Sequence, residues 1–381
     1  MSGKPPARRW ARWTANIPAP VPPSGRRSSA SRSVPAAEAP APFTLRERDH
    51  LFRAFLNHDR ILLAVSGGPD STALMVLAHD WLMARGDGPA LEVATVDHGL
   101  RPESRAEAAE VNALCRRLGL PWEMLHWAGE KPATGIQEAA RAARYELLAD
   151  HARRIGADAV ALAHTLDDQA ETVLFRLARG SGLPGLSAMK PVSRRSGLDL
   201  LRPFLDVPKA RLVAFLEGRG LAFARDPGNG DARFARPRLR ALAPLLAGEG
   251  LDAARLARFA ERVARVEAAI AAAVDVARHA CLKAREDDHA QFDAPLLFAQ
   301  PDEISLRLLI AEVARLGTEG TPELGKAERL HAALKAAFVA RNPCTRTLAG
   351  ALVRLKGHAL SVTGAPERRK KPAPLASNSP R

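Results

Sequence analysis

The chain has 381 residues, 46% of them apolar, with a formal net charge of +14. That length suits two domains with sizeable cores. No apolar run reaches the ~18 residues of a membrane span, and the start has no signal-peptide apolar segment, so neither a membrane nor a secreted setting is expected. Cys115, Cys281 and Cys344 lie far apart and form no CxxC or metal spacing, which points to a reduced, cytoplasmic protein.

The charge is unevenly spread. Residues 1–44 carry seven bases and one acid, and residues 365–381 carry five bases and one acid. Both ends are therefore expected to be disordered basic segments, because Pro-, Ala-, Ser- and Arg-rich sequence buries too little surface to offset ordering entropy. The N-terminal composition also suits a transit peptide or a start codon placed too early, and Trp10 and Trp13 among its arginines suit stacking on RNA.

From Phe43 to about Leu245, predicted strands and helices alternate. Strands are expected at Ile61–Val65, Leu91–Val96, Trp122–Leu125 and Ala159–Ala163, with helices over Thr72–Arg85, 104–118, 136–155 and about 167–179. This alternation predicts an α/β fold, a doubly wound parallel sheet with helices on both faces. Ligands of such sheets bind at the carboxyl ends of the strands. The segments after the first, second and fourth strands should therefore share one rim. After Leu245 the pattern becomes mainly helical. Leu256, Phe259, Val263, Val266 and Ile270 form one apolar seam, further helices are expected at 302–316 and 323–340, and Thr345–Leu355 with Ala359–Val362 suggests a hairpin. The expected organisation is a basic arm (1–44), a catalytic domain (45–245), a smaller, mainly helical C-terminal domain (246–364) and a basic tail (365–381). The C-terminal domain either holds a macromolecular substrate or simply packs.

Four clusters carry chemistry. The first is Ser66-Gly67-Gly68-Pro69-Asp70-Ser71, between a strand and a helix. Glycines let the backbone approach an anion, and the helix aims free N–H groups at it. The common nucleotide loop, GxxxxGK[ST], ends in a lysine. Here an acid, Asp70, stands instead, and a carboxylate beside phosphates implies a metal ion between them. The second is His164-Thr165-Leu166-Asp167-Asp168-Gln169-Ala170-Glu171. Its acids suit helix capping, Mg²⁺ binding or proton transfer. The third is Gln137–Tyr145, where Arg141 and Arg144 share a helix face, either solvated or clamping phosphate charge. The fourth runs from Arg225 to Arg240. Within 202–240 there are nine bases and four acids, and Arg233, Arg236, Arg238 and Arg240 make this the best candidate for an RNA-facing surface.

In order, these segments resemble the tRNA(Ile)-lysidine synthetases of the PP-loop ATP pyrophosphatase superfamily. Ser66–Ser71 matches SGGxDS. Val96–Arg101, Gln137–Tyr145, His164–Thr172, Arg179–Leu186, Arg202–Phe204 and Asp226–Arg240 extend the similarity over roughly 58–245. Two departures stand out: Asp226-Pro227-Gly228-Asn229 replaces Asp-x-Ser-Asn, and Ala163-His164 replaces a His-His pair. The resemblance implies a ligase that adenylates the C2 oxygen of the wobble cytidine of tRNA(Ile) with a CAU anticodon, releasing pyrophosphate. Free L-lysine then displaces AMP through its ε-amine. It implies ATP binding by Ser66, Gly67, Gly68, Pro69, Asp70, Ser71, Asp97, His98 and His164, with Thr95–Asp97 near adenine and ribose. It implies Mg²⁺ or lysine-amine binding by Asp70 and Asp168, catalysis by these two with Arg141, Arg144, Arg236 and Arg238, and tRNA binding by Arg233, Arg236, Arg238 and Arg240. A homodimer is compatible with it. The alternatives are a PP-loop tRNA thiolase, disfavoured by the scattered cysteines, an amidotransferase-type synthetase, which lacks its glutaminase domain here, and a non-catalytic basic RNA-binding protein, which gains nothing from acids on the rim.

Overall fold

The computed structural model describes residues 42–100, 103–129, 131–132, 134–224 and 235–366. The expected disorder of residues 1–41 and 367–381 therefore lies outside the described residues. Residues 43 and 44 do not belong to a disordered arm. Phe43 is buried edge-on against Phe215, and Thr44 caps the first helix in a reciprocal box with Glu47. At the other end, Ala365 still donates its N–H to Gly350 O, so it belongs with the C-terminal sheet.

The first half builds α1 (Leu45–Phe52), β1 (Arg60–Ala64), α2 (Pro69–Arg85), β2 (Ala90–Asp97), α3 (Ser104–Leu118), β3 (Trp122–His126), α4 (Ile136–Ile155) and β4 (Ala159–Ala161). It continues with α5 (Leu166–Ala178), α6 (Leu183–Leu186), β5 (Val192–Arg195), β6 (Leu198–Leu201), α7 (Lys209–Glu217) and α8 (Ala235–Gly248). The six strands order as β3-β2-β1-β4-β6-β5. All neighbours are parallel except the β5–β6 hairpin at one edge.

The central strand explains the layering. Ile61 and Leu63 point to one face and pack with Phe52, Trp81, Phe204 and Leu212. Leu62 and Ala64 point to the other and pack with Leu148, Ala152 and Val160. Alternation along a strand buried on both faces produces this split. Each leucine so buried contributes about 1.5–3 kcal/mol. The chain winds outward from β1 to β3, then returns through α4 to place β4 on the other side of β1. The switch point therefore lies between β1 and β4, where a doubly wound sheet opens its binding crevice.

The second half contains α9 (Ala253–Cys281), β7 (Leu282–Arg285), β8 (His289–Asp293), α10 (Ala294–Ala299), α11 (Asp302–Leu316), α12 (Leu324–Val339), β9 (Cys344–Leu348), β10 (Ala351–Lys356) and β11 (Ala359–Gly364). The expected hairpin is present as β10–β11, inside an antiparallel sheet of five strands, β7-β8-β11-β10-β9, that packs on α9 and α11. The apolar seam of α9 is only partly used. Leu256 and Val263 are buried, while Phe259 and Val266 are exposed. Leu256 and Ala260 instead pack on Ala170 and Val173 of α5, tying the two halves together.

Candidate active site

The loop after β1 takes its shape from one glycine and one serine. Gly67 has φ +85°, a left-handed conformation that costs any other residue strain. Ser71 is buried, and its hydroxyl accepts from Ser66 N at 3.1 Å and donates to Gly68 O at 3.1 Å, closing the loop. Pro69 sits at the first position of α2, where no N–H is needed. Gly68 offers no side-chain cap. The first N–H groups of α2 thus lack a side-chain cap, as a helix start that accepts an anion requires. Gly68 itself has φ −69° and an ordinary backbone, so only Gly67 needs its glycine for conformation.

Asp70 enters the crevice from α2. Its Oδ2 accepts from Lys209 Nζ at 2.7 Å, while its Oδ1 is buried without a hydrogen-bond partner. Burial raises the Asp70 carboxyl above its ordinary range. The Lys209 hydrogen bond and charge oppose that rise, and Asp168 and Asp167 add to it. The acids of α5 therefore do face Asp70 electrically, across the switch point.

Both acids of α5 also serve the backbone. Asp168 Oδ2 accepts from Thr165 N at 2.8 Å and from Thr165 Oγ1 at 3.0 Å in a capping box. Asp167 Oδ2 accepts from Lys209 N at 2.8 Å and so caps the start of α7. Glu171, one turn further along, takes a two-pronged bond from Arg240 of α8, including Nη2 to Oε2 at 3.0 Å. Capping and rim chemistry thus coexist in one segment. Among the described residues no group of three or more His, Cys, Asp or Glu could hold a metal. Two carboxylates still suit Mg²⁺, which keeps water and phosphate as its other ligands. The unpartnered Oδ1 of Asp70, with Asp168 beside it, fits such an ion.

A cleft of about 430 Å³ opens next to this, lined by His98, Gln137, Arg141, Arg144, Tyr145 and His164 among others. His98 and His164, which follow β2 and β4, thus line one cleft. Arg144 is half-buried, and desolvation lowers its pKa, with Arg141 adding to the effect and Tyr145 opposing it. A cation held in a dry place is strong on an incoming phosphate. The imidazole of His98 is pushed below its ordinary value by burial first and by Arg144 second, so it is neutral at pH 7. Tyr145 is boxed by arginines: Arg141 donates to its hydroxyl at 3.2 Å, and Arg195 of β5 stacks 4.3 Å from its ring centre.

The segment Thr95–Asp97 closes β2. Asp97 is only 5% exposed, and its Oδ1 accepts from Gly99 N at 2.9 Å. Burial raises its pKa, but bonds from Gly99 and Ser104 and the nearby His126 outweigh this and leave the carboxyl below its usual range. Thr95 Oγ1 accepts from Trp122 Nε1 at 3.0 Å. Asp97 thus holds the turn that follows β2, while Thr95 ties β2 to β3. In the fourth cluster, Arg240 is placed against Glu171 and Arg238 is exposed on the same helix. Arg236 lies on α8, and Arg233 lies outside the described residues, as do Asp226–Asn229. Lys209 was not singled out by its sequence context. Its only signal is a place one residue after Pro208, where a helix would start.

A doubly wound parallel sheet with an SGGPDS turn between its first strand and the following helix defines a PP-loop protein. Residues 43–246 match the PP-loop domain family. The protein is 50% identical to the tRNA(Ile)-lysidine synthase of Bradyrhizobium sp. (strain BTAi1), over 89% of this chain and 99% of the relative. It is 53% identical to the tRNA(Ile)-lysidine synthase of Methylobacterium sp. (strain 4-46), over 81% of this chain and 90% of the relative. The chain belongs to the tRNA(Ile)-lysidine synthase family. Among solved structures it is similar to the U34-tRNA thiolase NcsA of Methanococcus maripaludis with its [4Fe-4S] cluster, with a TM-score of 0.50 at 18% identity over 57% of this chain and 77% of that one. That likeness shows the shared fold.

Proposed function

We propose that this protein is an ATP-dependent ligase that converts the wobble cytidine of tRNA(Ile) with a CAU anticodon to lysidine. The cytidine C2 oxygen attacks the α-phosphorus of ATP, and pyrophosphate leaves. The ε-amine of free L-lysine then attacks C2, losing a proton, and AMP leaves with the former C2 oxygen. Adenylation is needed because a ring oxygen is otherwise a poor leaving group.

The chain's own residues divide the work. Ser66–Ser71 cradle the β- and γ-phosphates with backbone N–H groups, and Ser71 holds the loop closed. Arg144, with Arg141, stabilises charge gathering on the α-phosphoryl group in the neighbouring cleft. His98 and His164 line the same cleft and orient the nucleotide. Asp70 and Asp168 would hold Mg²⁺, which supplies charge neutralisation to the phosphates when bound. One of these carboxylates also receives the lysine amine and its proton. Arg238 and Arg240 on α8, continuing from Arg233 and Arg236, track the tRNA backbone.

One observation carries this reading: relatives about half identical over nearly their full length. The thiolase alternative is not favoured by the cysteines. Cys115 and Cys281 are buried in separate cores and none of the three lines the cleft. Among the described residues no helix is long and apolar enough to cross a membrane, and a tRNA substrate places the reaction in the cytoplasm. A homodimer belongs to the same proposal and is decided by light scattering on the purified protein. The adenylation half-reaction is tested by exchange of labelled pyrophosphate into ATP. Exchange that requires the tRNA(Ile) CAU transcript supports the reading, and exchange indifferent to tRNA contradicts it.

A further inference from the structure

The loop that grips the polyphosphate has an electrostatic problem. Its own charged residue is Asp70, and Asp167 and Asp168 at the start of α5 add negative charge that Asp70 feels, so an anion bound by the loop meets an acidic neighbourhood. The loop has no lysine of its own. Lys209, from a distant part of the chain, brings an ammonium to 2.7 Å from Asp70 Oδ2.

Its placement is built. The Lys209 N–H is capped by Asp167 Oδ2 at 2.8 Å, the preceding Pro208 fixes the backbone at φ −62°, and Leu166 N donates to Val207 O at 3.1 Å. The β6–α7 connection is thereby tied to the first turn of α5 on the wall of the crevice. The side chain is still 43% exposed. A half-exposed Lys–Asp pair contributes little to stability. A four-carbon stem with a compact ammonium turns easily between acceptors, in contrast to an arginine fork. Arg240, a second cation near Asp167 and Asp168, rests on Glu171 through two bonds rather than on Asp70.

We infer that Lys209 is the phosphate-binding lysine that the loop itself lacks. In the empty protein its ammonium rests on Asp70. When the polyphosphate enters, it turns to the β- and γ-phosphate oxygens and stays on the pyrophosphate as that group leaves, so Asp70 is freed for a cation. The inference rests on the ATP reading above and deepens it.

The test uses the full-length protein and titration calorimetry with pyrophosphate, ATP and AMP. Lys209→Met keeps the stem and removes the charge. It should weaken pyrophosphate and ATP by about tenfold or more, the worth of one charge-assisted bond, and change AMP, which has no β- or γ-phosphate, by less than about twofold. Lys209→Arg should restore most of the loss. A second measurement needs no variant: acetylation of Lys209 in the native wild-type protein, read by peptide mass, should slow about fivefold or more at saturating pyrophosphate and stay constant with AMP. Unchanged pyrophosphate affinity in Lys209→Met, or acetylation indifferent to pyrophosphate, overturns the inference and leaves the pair as a structural clasp of α7. A wild-type protein that binds neither ATP nor pyrophosphate overturns the ATP reading and this inference with it.

Discussion

A pair of substitutions separates the helix-capping bonds of Asp168 from the chemistry proposed for it. Its Oδ2 accepts two bonds from Thr165 and its own N–H donates to Thr165 Oγ1. Replacing it with alanine removes the side-chain half of the capping box and an acid from the helix N-terminus. A cap is worth about 1 kcal/mol, and a charge at a helix N-terminus about 0.3–1 kcal/mol. Asp168→Ala should therefore cost about 1–2 kcal/mol, or a few degrees in Tm. Asp168→Asn keeps an oxygen acceptor and should lose only the charge, well under about 1 kcal/mol. Chemistry should respond in the opposite proportion. If Asp168 holds a cation or takes the amine proton, the neutral amide lowers single-turnover lysidine formation by about a hundredfold or more. Thr165→Ala is the control. It loses the same cap, at about 1 kcal/mol, and should keep activity within about tenfold of wild type because the carboxylate survives. Urea unfolding and single-turnover assays on the three variants decide the matter. Wild-type-like turnover by Asp168→Asn would reduce the residue to a helix cap and remove it from the mechanism.

Gly67→Ala should lose about 1–2 kcal/mol to left-handed strain, because its added Cβ meets Val111 Cγ2 at an ordinary 3.5 Å. ATP affinity measured on the same variant should fall as the loop relaxes. Since the folded value of His98 lies below its unfolded 6.5, its protonation favours unfolding. Its neutral form is no burden above that value, and stability should drop as pH falls below it, levelling out beneath the folded value. His98→Gln should flatten that part of a Tm-against-pH curve. The Cys115 thiol is pushed up to about 12 by burial, so iodoacetamide on the native protein should leave it intact and label the partly exposed Cys344 first, by peptide mass. Arg240→Ala should weaken tRNA binding and make it less steep in salt by about one counterion, read from filter binding over a salt series.

The parts of the fold that were legible in the sequence are those with a clear period. Helices at 104–118, 136–155 and 302–316 fall where their apolar spacing places them, and the parallel strands are short apolar runs between turn signals. The β5–β6 hairpin was invisible because Val192-Ser193-Arg194-Arg195 is an exposed edge strand with no apolar face. Strands β7 and β8 escaped because Lys283, Arg285 and Gln291 alternate with small or single apolar residues, too weak a pattern against the strong helix before them. At the site, the loop, the acids and the arginines of α4 carry local signatures. Lys209 carries none, since its meaning comes from meeting Asp70 across 139 positions of sequence. The bond from Gly99 N to the Asp97 carboxylate at the end of β2 likewise carries no local signature. A spacing shows which residue types are near a rim, and only packing decides which of them face inward.

The central claim is tested most directly by one incubation: the purified protein with ATP, Mg²⁺, L-lysine and the tRNA(Ile) CAU transcript, followed by nucleoside mass analysis of the wobble position. The expected result is lysidine at that position, one AMP and one pyrophosphate for each, and none without lysine or without ATP. An unmodified cytidine, under conditions where the same preparation binds ATP and the transcript, would contradict the account.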